Sequence, residues 1–215
     1  MTRALKGAAA GLAVCFSVTA CGGDETPEPK RVMASQQCDG TLSPEAARAL
    51  ETVLNTKKFD DAPTGGLERT TDELVQDYPE SWRRTPRHSL CRASPATGSD
   101  AVKIDFRLHR EADLPGDEHA ADMHAYDMGV DALSGPRMAE LYVRCVSPRI
   151  DGSGDRPARI RGGLTFLRSK LPDTVPIREA NLTILHSAAL AVVRKLGCEN
   201  DAGLTEKPVF RPKRE

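Results

Sequence analysis

Apolar and polar positions alternate most cleanly over residues 101–110, where Val102, Ile104, Phe106 and Leu108 interleave with Lys103, Asp105, Arg107 and His109. One buried and one wet face is the pattern of a strand in an antiparallel sheet. A second alternating run covers 138–146, with Leu141, Val143 and Cys145 on one side, and a third covers 158–167, with Ile160, Leu164 and Phe166. A short strand is predicted over 89–93. Helical spacing appears elsewhere. Ser43-Pro44-Glu45 reads as an N-cap followed by proline at the first helical position, and Ala46, Leu50, Val53 and Leu54 then share a face. Leu67, Thr71, Leu74, Val75 and Tyr78 predict a second helix over 66–78, stopped by Pro79. A long helix is predicted over 176–196, with an apolar stripe of Ile177, Ile184, Leu185, Ala188, Val192 and Leu196 and a left-handed stop at Gly197. Residues 111–136 read as loop, punctuated by Pro115-Gly116 and Ser134-Gly135-Pro136. Helices, then strands, then a helix is not βαβ alternation. It predicts an α+β domain: an antiparallel sheet with helices packed on one face.

The N-terminus carries a different pattern. Arg3 and Lys6 precede an apolar run from Ala8 to Val18, followed by Thr19, Ala20 and Cys21. The run is too short to span a bilayer and is laid out as an export signal. The tetrad Val18-Thr19-Ala20-Cys21 resembles a bacterial lipobox, in which the cysteine receives a diacylglyceryl thioether and becomes the first mature residue. Ordinary signal cleavage after Ala20 is the alternative, since Val-x-Ala also suits that peptidase. The cysteine at the required position and the polar segment after it favour lipidation. The organisation expected is a signal peptide over 1–20, the lipidated Cys21 with a flexible tether over 21–37, one α+β domain over 38–203, and a loose polar tail over 204–215. Two acyl chains on one cysteine suffice for stable anchoring, so no basic patch beside the membrane is required.

Composition narrows the function. The 215 residues are 39% hydrophobic and 28% charged, with a formal net charge of −1. Loss of residues 1–20 removes Arg3 and Lys6 and no acid, leaving 28 basic against 31 acidic residues. No global basic field draws nucleic acid, and aromatic residues, at 4%, are too few for a base-stacking platform or an aromatic-lined carbohydrate cleft. No nucleotide-binding or catalytic fingerprint occurs, so no cofactor is expected.

Four cysteines remain besides Cys15 of the apolar run and Cys21: Cys38, Cys91, Cys145 and Cys198. An even number in an exported chain predicts disulfides, and no pair has the spacing of a zinc or CxxC redox site. Three pairings are open. Cys38–Cys91 and Cys145–Cys198 are preferred, because they staple the opening helix to the first strand and the end of the last helix to a central strand. Their even spacing invites a repeat, but an offset of 107 sets a helix start against a strand end, so no duplication is read.

The stretches VTAC at 18–21, CDGTLSPEAARALE at 38–51, LYVRC at 141–145 and AALAVVRKLGC at 188–198 together resemble small actinobacterial cell-envelope lipoproteins. The resemblance covers most of the mature chain and its motifs are structural. It implies location and anchoring, and carries over no catalytic residue.

Candidate chemistry concentrates in 109–127, which holds three histidines and six carboxylates. His119, Asp122 and His124 offer nitrogen and oxygen ligands to a divalent metal. The plainer reading is a solvated acidic loop. Asp151-Gly-Ser-Gly-Asp155 opens like a calcium loop, but Arg156 stands where glycine is needed and Gly162 where glutamate is needed, so a turn between strands is read instead. Trp82 and the basic cluster 83–88 fit packing and a solvated face better than polymer or headgroup contact. His186, beside the apolar stripe of the last helix, is read as a half-buried packing residue rather than a catalytic base. The function expected is a membrane-anchored extracytoplasmic lipoprotein, a non-enzymatic module binding a ligand or an envelope protein or polymer. The alternative is an envelope hydrolase or metal-dependent enzyme built on 109–127.

Overall fold

A computed structural model describes residues 30–81, 85–113, 122–168 and 171–213. The elements run β1 (Arg31–Val32), α1 (Pro44–Val53), β2 (Phe59–Asp60), α2 (Gly66–Asp77), β3 (His88–Ala93), β4 (Val102–Leu108), β5 (His124–Asp127), β6 (Asp131–Ser134), β7 (Met138–Cys145), β8 (Ala158–Phe166), α3 (Val175–Leu196) and β9 (Arg211–Pro212). The fold is α+β. Seven strands pair antiparallel in the order β3-β4-β8-β7-β6-β5-β9, and β1 pairs with β2 in a separate ribbon. The alternating runs face as their sequences predict. Ile104, Phe106, Leu141, Val143, Ile160 and Leu164 are buried toward the helices. Gly162 sits among them because a Cβ there would meet Phe106 at 2.9 Å and Leu185 of α3 at 3.3 Å.

Local signals explain where the helices begin and end. The Ser43 hydroxyl accepts from the Ala46 amide at 3.2 Å, and Pro44 follows at the first turn of α1. α3 stops at Gly197, φ 71°, with the Cys198 amide reaching back to the Val193 carbonyl at 2.9 Å. α2 has no side-chain cap of its own. Asp39 supplies one from a distance, accepting from the Gly65 amide at 2.9 Å and the Leu67 amide at 2.7 Å. Asp39 adjoins Cys38, which is bonded to Cys91 on β3, so one turn ties α2 to the sheet edge. Cys145–Cys198 joins the end of β7 to the residues after α3. Both preferred pairings are present, each spanning 53 residues, which corresponds to roughly 4 kcal/mol in the chain-entropy treatment.

Three expectations change. Residues 30–37 were expected in the tether, yet Val32, Ala34 and Gln37 are buried and β1 pairs with β2, so the packed body begins before Cys38. Their sequence is too polar to announce a strand; the pairing partner at Phe59–Asp60 decides it. Residues 124–134, read as loop, form β5 and β6, joined through Gly129 at φ 85°, whose amide bonds the Asp127 carboxylate at 2.9 Å. Strands of four residues carry too few alternations to stand out. The tail is not loose throughout: Leu204 is buried, and β9 pairs with β5 as an edge strand, where a proline costs no ladder bond. The turn expected at 151–155 is present, and Ser153 buries its hydroxyl against the Ser147 backbone.

Gly66 opens α2 against a bulge in β3, and a Cβ there would lie 1.9 Å from the Leu90 carbonyl oxygen. Backbone cannot yield as a side chain does. Gly66→Ala is therefore expected to destabilise the protein by about 1–3 kcal/mol, read as a lower urea midpoint at unchanged slope.

Candidate functional site

α3 is not the one-sided helix its stripe suggested. Residues Arg178, Asn181 and Leu185 meet the sheet: the Ser134 hydroxyl donates to the Arg178 carbonyl, the Asn181 amide donates to the Gly135 carbonyl at 3.0 Å, and Leu185 lies over Gly162. A second row, Thr183, His186, Ser187, Leu190 and Arg194, turns away from the sheet. Ser187 fastens the chain before α1, accepting from the Ser43 amide at 2.8 Å and donating to the Thr41 carbonyl at 2.9 Å. Between that chain, α3 and residues 206–210 lies a groove of ≈ 540 Å³. Its walls are Leu42, Leu190, Ala191, Pro208 and Phe210; Glu45, Arg194, Glu206 and Lys207 stand at its margin. That volume lies in the range of small-molecule sites.

His186 is the chemical centre of the groove. It is 1% exposed, and its Nε2 has no hydrogen-bond partner. Burial lowers its pKa from the ordinary histidine value, against the Thr205 backbone and the Glu206 charge, which favour the charged form. A neutral imidazole with one bare nitrogen at an apolar wall can bind a polar group of a ligand. Sequence placed His186 near the stripe but only half-buried. The extra cover comes from the C-terminal segment, which local periodicity does not show. Arg194 is already engaged by Asp201 at 3.0 Å and Glu206 at 2.5 Å.

The opposite face of the sheet holds a buried ionic cluster that sequence reading missed. Glu140 on β7 accepts hydrogen bonds from Arg161 on β8 and from the Tyr142 hydroxyl. Burial disfavours the charged form of Glu140, but the Arg161 bonds outweigh it and its pKa is lowered; Tyr142 is pushed up, by burial and then by Glu140. Asp105 lies beside the cluster, its carboxylate 3.4 Å from where a Cβ on Gly163 would stand. The alternation over 101–110 marked Asp105 and His109 as wet, whereas both are buried, as are Tyr142 and Arg161 beside them, each at most 7% exposed. Glu140 is satisfied twice over, while the Arg161 Nη1 has no partner. Ion pairs of this kind arise in structural cores as readily as in active sites.

Of the residues proposed from sequence as metal ligands, Asp122 and His124 lie among the described residues. His124 Nε2 lies 3.1 Å from Asp173, which also binds Arg178. Asp122 lies in the turn before β5, and its backbone presses on Gly135. His119 lies outside the described residues, and among those described no three His, Cys, Asp or Glu groups are placed to hold a metal ion. Cys21, Trp82, Arg83 and Arg84 also lie outside them. His88 of the basic cluster is held between Glu73 at 2.9 Å and Asp77 at 2.7 Å, a clasp of α2 on β3. No family model, curated protein or solved structure matches the chain.

Two tests address these clusters. Above pH 6.5 His186 is neutral folded or unfolded and adds no pH dependence. Below it, the unfolded chain takes a proton the native ring resists, so stability falls until the native ring also protonates. Urea midpoints of the wild type should therefore drop faster below pH 6.5 than those of His186→Leu, by at most about 1.4 kcal/mol per pH unit. Equal slopes would contradict a buried neutral ring. Glu140→Ala strands the Arg161 charge and should cost about 3–5 kcal/mol, while Glu140→Leu with Arg161→Met should cost much less.

Proposed function

We propose that this protein is an extracytoplasmic lipoprotein, held to the membrane by a diacylglyceryl group on Cys21, whose folded body is a non-enzymatic ligand-binding module. The observation that carries the binding role is the groove: a ≈ 540 Å³ recess of mixed apolar and polar lining, with a buried histidine whose Nε2 has no partner in its wall. A buried polar atom is ordinarily hydrogen-bonded, and a polar group of a ligand in the groove would supply the partner this nitrogen lacks. The two disulfides support an oxidising location, since such bonds persist outside the cytosol. The apolar run before Cys21 and the resemblance to envelope lipoproteins support the anchor. Among the described residues no helix is long and apolar enough to cross a membrane, which leaves the lipid as the attachment in this reading.

The reading is tested on protein purified from the membrane fraction. Mass spectrometry should find Cys21 as the lipid-modified first residue; an unmodified chain released into the medium rejects the anchor. Native mass spectrometry should find a small molecule that accompanies the wild type and is absent from Ala191→Trp, whose indole fills the groove. Identical spectra reject the binding role.

A further inference from the structure

We infer that the groove takes an uncharged amphiphile, an apolar body carrying one hydroxyl, with that hydroxyl bonded to His186 Nε2. The inference rests on the groove being a ligand seat and adds the chemistry of what sits in it. Apolar walls at Leu42, Leu190 and Phe210 suit a hydrocarbon body. The partnerless Nε2 calls for a polar atom, and since the neutral ring's other nitrogen bonds the Thr205 backbone, Nε2 is an acceptor to which a ligand hydroxyl donates. The margin argues against a charged ligand. Glu45 and Glu206 stand against Arg194 and Lys207, so the signs balance. Arg194 is already committed to Asp201 and Glu206, so a ligand carboxylate finds no guanidinium waiting for it. Deep in the recess an anion or ammonium would lose its hydration beside a neutral ring.

The test uses the full chain with Cys21→Ser, oxidised, at pH 7.5, titrated with 1-octanol, octanoate and octylammonium. Binding is measured by calorimetry, and the His186 ring nitrogens are followed by NMR. Octanol should bind at least tenfold more tightly than either ion and should shift the Nε2 resonance. His186→Leu, which keeps the bulk and removes the nitrogen, should weaken octanol about fivefold. If none of the three probes binds, the groove is not a ligand seat and the reading beneath this inference falls with it. If octanol binds no better than the ions, or leaves the wild-type Nε2 resonance unmoved, the seat stands and its chemistry is overturned. The resonance is read on the wild type, so that outcome does not depend on the variant folding.

Discussion

The structure depends on covering α3. Twelve of its 22 residues are buried, on more of the circumference than one sheet can shield. Each fully buried leucine, isoleucine or valine contributes roughly 1.5–3 kcal/mol, so the aliphatics of this helix outweigh either disulfide. A helix apolar around most of its surface needs partners on two sides. The sheet supplies one, with Gly162 letting Leu185 approach. α1, α2 and the segment after α3 supply the other. The cover is incomplete along Thr183, His186, Leu190 and Arg194, and the groove is that remaining gap.

Polar contacts set where each covering element lies, though they add little net energy individually. Ser187 pins the entry to α1, Asp39 caps α2 from a turn that Cys38 anchors to β3, and His88 clasps α2 from β3. These contacts bring the wall of the groove at residues 40–45 and the clasped edge of the sheet into one connected framework. His186 differs from all of them. It is buried like a structural residue, yet one of its nitrogens is left without the partner such residues have. The Glu140–Arg161 pair on the far face is a buried ion pair that links β7 to β8, although the Arg161 Nη1 has no partner there.

Much of the framework was legible from the chain alone. The strands at 102–108, 138–145 and 158–166 and the ends of α1 and α3 were readable because alternation, the Ser43-Pro44 start and Gly197 act within a few residues. The cysteine pairs were readable because one arrangement stapled predicted neighbours. β1, β5 and β9 were not, since two to four residues carry almost no periodicity and exist only because a partner strand lies beside them. The polar face of β4 was misread as wet for a related reason: alternation reports chemistry, whereas burial depends on what lies above.

The sequence by itself determined the class of fold, its central strands, its two bridges and the cysteine at the end of an apolar run, because each is written in local spacing. The tertiary structure decided the site. A histidine at helical spacing is ordinary, and only the meeting of α3, the turn before α1 and the C-terminal segment makes it a buried ring with a partnerless nitrogen in the wall of a recess. Those three segments lie far apart in the chain, so no local pattern could have shown that they meet.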